Sequence, residues 1–164
     1  MTRPSAAVAA KQLLDRAWEG RGFPVDPVQI AKILGIDVMT AELPDRVAGA
    51  IIKEVDSDPV ILLHEADSAP RQRFTCAHEL GHYIYRQEDD GEQYEYVELR
   101  GDHSRSGQNA EEVYANQFAA NLLMPSEAVR SLFREQPSRA VLALTFGVSD
   151  DAMRYRLKNL KLAG

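Results

Sequence analysis

Three side chains in one short segment are of the types needed to bind a metal ion and to move a proton. His78 and His82 are four residues apart, so in a helix their imidazoles lie on one face, one turn apart. Two imidazoles so placed can bind one divalent ion, and the Glu79 carboxylate beside them can take a proton from activated water. Chance produces this pattern in fewer than about one in a hundred chains of this length. The segment therefore predicts a hydrolytic metal centre with Glu79 as general base.

A catalytic zinc usually has three protein ligands and keeps a further position open. Glu112 is the best candidate for the third, because it lies near the start of a helical pattern whose apolar residues share its face. Its neighbour Glu111 is expected to face solvent. Asn116, one turn further along, is expected to accept the free ring N–H of a metal-bound histidine. His103, in a glycine-flanked loop, stays open as an alternative third ligand, as a group that stabilises a tetrahedral intermediate, or as a solvated side chain.

The residues that follow His82 exclude one class of metallopeptidase. A metzincin needs glycine and histidine three and six residues beyond the second histidine, where this chain has Tyr85 and Glu88. Ligation by two histidines and a glutamate suits Zn²⁺, and the carboxylate also admits Mn²⁺. Cys76, the only cysteine, is expected to be a small buried hydrophobe rather than a ligand.

The elements that must hold these residues are mostly helices. Helical patterns stand on both sides of a group of short apolar segments, and one long helical pattern contains both histidines. The strand candidates are residues 36–39, 48–55, 60–64 and 94–99. The sequence predicts an α+β fold, mainly helical, with a small three- to four-stranded sheet packed beside the histidine-containing helix. We expect a peptidase core over residues 1–136 and a helical C-terminal segment over residues 137–164.

Composition narrows the compartment and the partners. A net charge of −6 among 164 residues argues against general nucleic-acid binding, which normally needs a basic excess. A single cysteine permits no internal disulfide and fits a reducing compartment. The N-terminal segment has no convincing signal-peptide core, and no apolar run approaches the length of a membrane span. We therefore predict a cytoplasmic protein with no membrane partner.

Two segments of the chain resemble the ImmA/IrrE family of metallopeptidases. They are RFTCAHELGHYIY (residues 73–85) and EEVYANQFAANLLMP (residues 111–125), with weaker similarity over most of the chain. The resemblance implies a zincin-like minimal peptidase core in which two histidines and a glutamate bind the metal and a second glutamate is the general base. The residues at those positions are His78, His82, Glu112 and Glu79.

The same resemblance implies a class of substrate. It indicates an endopeptidase that cleaves a helix-turn-helix repressor or a similar regulatory protein. We expect the substrate to lie extended against an edge of the small sheet, with Val60–His64 as the candidate edge. The chain ends soon after its last helical pattern, so we do not expect a ligand-sensing extension.

The C-terminal pattern FGVSDDAMRYRLKNL leaves an alternative class of function open. It has helix-turn-helix character, and Arg154, Arg156 and Lys158 lie on its last helix. A DNA- or repressor-binding regulator, or a toxin–antitoxin component with weak or no proteolysis, is the alternative. We favour a helical cap on the peptidase core with solvated charges outside, because the net charge is acidic.

Overall fold

The chain forms a mainly helical fold around one mixed sheet. The computed structural model describes residues 3–87, 93–99 and 109–162, which contain seven helices and four strands. The helices are α1 (Ala6–Ala17), α2 (Pro27–Ile33), α3 (Ala69–Gln87), α4 (Ala110–Leu123), α5 (Ser126–Glu135), α6 (Arg139–Phe146) and α7 (Asp150–Asn159). The strands are β1 (Asp37–Ala41), β2 (Val47–Lys53), β3 (Val60–His64) and β4 (Tyr94–Leu99). The predicted α+β architecture is confirmed. None of the helices described is long and apolar enough to cross a membrane.

The order of strands in the sheet is β1-β3-β2-β4. Strand β3 pairs in parallel with β1 on one side and antiparallel with β2 on the other, so both of its edges are used. The prediction that Val60–His64 forms an edge for substrate is therefore wrong. A short apolar run has the same pattern whether its strand lies inside a sheet or at its edge. The edges within the described residues are β1 and β4, and β4 is the one beside the histidines.

Helices α3 and α4 pack with their backbones in close approach. A Cβ atom added at Gly81 of α3 would lie 2.8 Å from the Cα of Ala115 in α4 and 3.1 Å from its carbonyl oxygen. The face of α4 that meets α3 continues into the core through Phe118, Ala119 and Leu122, all fully buried. Glycine on one helix and alanine on the other therefore set how near the start of α4 comes to the two histidines.

We expect Gly81→Ala to destabilise the protein by about 1–3 kcal/mol, the usual cost of forcing a methyl group into a packed interface. The added Cβ would meet backbone rather than a movable side chain, so the helices must separate. Urea denaturation measures the loss. Gly22→Ala is the control, because nothing lies within 4 Å of a Cβ at that position and its φ is not in the left-handed region. A Gly81→Ala variant as stable as the wild type would contradict this account of the interface.

The C-terminal helices contact the rest of the fold through hydrogen bonds and apolar packing. The Arg73 guanidinium of α3 donates to the carbonyl of Gly147, 2.8 Å away, and Phe146 and Met153 are fully buried. Arg156 is also buried, and it donates to the carbonyl of Met124 and to the side chain of Asn121. One of the three charges expected to face solvent or DNA thus points inward. The domain boundary after residue 136 stays a prediction.

Candidate metal centre

Helix α3 places the three residues of the histidine motif inside the protein. His78, Glu79 and His82 are each no more than 1% exposed. The two imidazole rings meet edge to face with centroids 5.0 Å apart, as expected for positions one turn apart on one helical face. The local spacing of the motif therefore becomes a buried cluster of ligand-type atoms.

Glu112 of α4 faces both histidines. Its two oxygens lie 3.3 Å from the Nε2 of His78 and 2.9 Å from the Nε2 of His82. The Asn109 side chain begins the helix by accepting hydrogen bonds from the backbone N–H groups of Glu111 and Glu112. Two ligand atoms at about 2.0–2.2 Å from a tetrahedral ion are about 3.3–3.6 Å apart, so a small expansion of this cluster accommodates zinc.

Orphaned polar atoms support the fit to a metal ion. Among the described residues, neither oxygen of Glu79 has a hydrogen-bond partner, although the side chain is fully buried. The Nε2 of His78 is equally buried and lacks a well-aligned hydrogen bond, despite an oxygen of Glu98 only 2.7 Å away. Unpaired buried carboxylates and imidazoles are costly, and a divalent ion with its water would satisfy these atoms. The residues present therefore fit a divalent metal.

The pKa values follow from burial and from this crowding of charge. Burial raises the pKa of Glu79 to about 8, and the nearby histidines only partly oppose it. Burial lowers the pKa of His78, but its contacts with Glu112 and Glu98 outweigh burial and raise it to about 10. Burial raises the pKa of Glu112, but its contacts with His78 and His82 lower it to about 2. Protons and a metal ion thus compete for the same ring nitrogens.

Glu111, rather than Asn116, contacts the second ring nitrogen of a histidine in the cluster. It is only 8% exposed, and one of its oxygens lies 2.8 Å from the Nδ1 of His82. Its other oxygen accepts from the hydroxyl of Tyr96 and pairs with Arg86. The expectation that Glu111 faces solvent is wrong. The first turn of α4 lies across the His82 ring, so that one glutamate contacts each of the two ring nitrogens. A carboxylate on Nδ1 orients the imidazole and makes Nε2 a stronger metal ligand.

We expect Glu111→Gln to weaken zinc binding by about 10–100-fold, the usual effect of losing a charged partner behind a ligating histidine. Competition with a chromogenic chelator measures the affinity. Glu127→Gln is the control, because Glu127 is an exposed glutamate in the first turn of another helix. Equal zinc affinity in Glu111→Gln and wild type would show that Glu111 does not support the metal ligand.

Strand β4 supplies a carboxylate that the sequence analysis missed. Glu98 lies beside His78, and His78, Glu98 and Glu112 offer ligand atoms all within 4.8 Å of one another. The alternation of YEYVEL places Tyr94, Tyr96 and Glu98 on one face of the strand, and the Tyr96 ring stacks on His82 with centroids 4.2 Å apart. The alternation of residues along this strand was visible in the sequence. The sequence did not show that this face of the strand packs against the histidines.

A cleft of about 410 Å³ opens beside His78. It is lined by Arg71, Phe74, Thr75, His78, Glu98, Asn116 and Tyr155. Asn116 thus lies near the cluster, but within the described part of the chain its side chain makes no hydrogen bond to either histidine. His103 lies outside the described residues. The cleft shows where a ligand could approach the cluster.

Together, this fold and this cluster define a metallopeptidase-like domain. The family model of the peptidase M78 IrrE N-terminal-like domain matches residues 31–158, and the chain belongs to this family. Membership confirms the resemblance inferred from the two sequence segments. The family is metal-dependent and includes regulators.

The fold of this chain can be compared with those of known proteins. No curated protein matches the chain. A solved structure, a Mycobacterium tuberculosis transcriptional regulator, aligns with a TM-score of 0.63 and 19% identity. The alignment covers 93% of this chain and 46% of that chain, so this chain spans about half the length of the regulator. At this identity the likeness shows the fold alone.

Proposed function

We propose that this protein is a zinc-dependent endopeptidase that cleaves a regulatory protein of the helix-turn-helix repressor class. Family membership supports a metallopeptidase-like regulatory domain. The observation that carries the proposal is Glu79, a fully buried carboxylate without a hydrogen-bond partner among the described residues, 4.0 Å from the Nε2 of His78. A buried, unpaired carboxylate beside metal-binding nitrogens is suited to proton transfer and serves no evident structural purpose.

In this proposal, His78, His82 and Glu112 hold the ion. A bound ion would supply Lewis acidity toward the attacking water and the scissile carbonyl. Glu79 removes the proton from the attacking water and then delivers it to the leaving amine. Glu111 keeps the His82 ring in the orientation that directs Nε2 toward the ion. Mn²⁺ is an alternative ion, because carboxylate ligation admits it.

The position of β4 supports an extended substrate. Among the described strands, β4 pairs only with β2, and its Glu98 lines the cleft beside His78. A peptide segment can add to the other edge of β4 by main-chain hydrogen bonds, which would bring a peptide bond close to the cluster. Such binding requires an unfolded or flexible segment in the substrate. A loop or linker of a repressor meets that requirement.

A cleavage assay tests the proposal. The chain is stripped of metal, reloaded with Zn²⁺ or Mn²⁺, and incubated with a purified helix-turn-helix repressor of the source organism and with a degenerate peptide library. We expect one principal cut in the repressor, detected by mass spectrometry, which a chelator prevents and added metal restores. An intact repressor alongside cleaved peptides would contradict the substrate class. Intact repressor and intact peptides with a fully loaded protein would contradict the peptidase.

A further inference from the structure

We propose that Glu98 is a reversible fourth ligand of the metal centre, which occupies the open coordination position until an extended substrate displaces it. The proposal deepens the proposed function, because it rests on a metal held by His78, His82 and Glu112. It assigns a role to a carboxylate on the edge strand β4 that neither the sequence motifs nor the family match assigns.

Glu98 lies close to two of the proposed metal ligands. The Oε2 of Glu98 lies 2.7 Å from the Nε2 of His78, the ring atom that faces Glu112 from 3.3 Å. One ligand atom from each of the three residues lies within 4.8 Å of the others. Any ion bound to Nε2 of His78 and to Glu112 would therefore lie within reach of the Glu98 carboxylate.

The contact between Glu98 and His78 is not an ordinary hydrogen bond. The His78 ring is nearly fully buried, and its Nε2 has no aligned partner in the described part of the chain. An oxygen at 2.7 Å that lies off the N–H direction does not satisfy that atom. A metal ion placed between the ring nitrogen and the carboxylates would satisfy all of them at once.

The pairing of β2 with β4 is irregular beside Glu98. Glu98 lies opposite Gly49 of β2, and β2 has one extra residue, Ala48, between Gly49 and Val47, the partner of Leu99. Such β-bulges occur often at sheet edges and next to active sites. This one lies opposite the residue whose carboxylate reaches the cluster. Since β4 is also an edge among the described strands, pairing of an extended peptide and displacement of Glu98 would occur on the same strand.

With Glu98 bound, the metal centre would have no open coordination position in the absence of substrate. Four protein ligands saturate a tetrahedral ion and leave no position for water, whereas three ligands keep one position open. A closed centre retains its metal and is idle toward peptides that do not engage β4. A substrate that pairs with β4 would move the strand and free the position.

Zinc affinity tests this ligand without relying on activity. Wild type, Glu98→Gln and Glu95→Gln are compared by competition with a chromogenic chelator. Glu95 is the matched control, because it lies on the same strand with its side chain exposed on the opposite face. We expect Glu98→Gln to bind zinc at least about tenfold more weakly than wild type, and Glu95→Gln to match wild type.

A small metal-binding probe tests the blocked position. In the Co²⁺-substituted proteins, acetohydroxamate is titrated and followed by the visible absorption of the ion. We expect Glu98→Gln and the shorter Glu98→Asp to bind acetohydroxamate at least about tenfold more tightly than wild type, because no carboxylate has to leave first. Glu98→Asp keeps the negative charge but has a shorter side chain. Equally tighter acetohydroxamate binding by this variant would therefore show that the length of the Glu98 side chain, and not its charge, blocks the position.

The outcomes separate this inference from the proposed function. Wild-type protein that binds no metal would overturn the proposed function itself. Wild type that binds metal, with zinc affinity and acetohydroxamate binding unchanged in Glu98→Gln, would overturn only the role of Glu98. Circular dichroism of each variant verifies the fold, and a misfolded Glu98→Gln leaves Glu98→Asp to decide.

Discussion

We expect Glu79→Gln to retain its metal ion and to lose about 10²–10⁴-fold in cleavage rate, the usual contribution of a general base. The amide has the shape of the carboxyl group but cannot accept the proton of the attacking water. Metal content should stay at the wild-type level, because the predicted ligands are His78, His82 and Glu112. Single-turnover cleavage of the repressor, together with metal analysis, measures both effects. Glu95→Gln, the exposed glutamate of β4, is the control.

The same variant has an expected effect on stability in metal-stripped protein. Burial raises the pKa of Glu79 from 4.5 in the unfolded chain to about 8 in the folded one. The folded state therefore disfavours the ionised form, and wild type loses stability as the pH rises from 4.5 toward 8. Glu79→Gln should lack that loss of stability, which urea denaturation at several pH values can measure.

A normal cleavage rate in Glu79→Gln would show that Glu79 is not the general base.

Glu112→Ala should lose zinc affinity by more than about 100-fold, above the range typical of residues that only support a ligand. The Glu112 side chain contacts the Nε2 atoms of both histidines, so its removal deprives the ion of one ligand. The loss should exceed that of Glu111→Gln, whose target contacts only the far nitrogen of His82.

Metal analysis and chelator competition decide this prediction. Gln117→Ala is the matched control, because Gln117 is an exposed residue one and a half turns along the same helix. An unchanged zinc affinity in Glu112→Ala would contradict the assignment of the third ligand. The ion would then have to be held by the histidines with another carboxylate, and Glu98 is the nearest alternative within the described residues.

The sequence by itself determined the features that depend on one segment of chain. His78 and His82 cluster because residues four apart share a helical face, whatever the rest of the fold does. Glu112 could be selected because the apolar positions that follow it predict a helix with one buried side. The mainly helical α+β class also follows from local patterns, and the family match extends the same argument over most of the chain.

Only the tertiary structure decided which neighbours these residues meet. Glu111 turns inward because Gly81 and Ala115 let α3 and α4 approach until the first turn of α4 straddles the His82 ring. Glu98 reaches His78 because β4 joins the sheet beside β2, and β3 is closed to substrate because β1 pairs with its other side. The order of the strands and the approach of the helices depend on contacts between residues far apart in the chain. They therefore cannot be predicted from the periodicity of any one segment. The histidine pair was therefore predictable, whereas the carboxylates that surround it were only partly so.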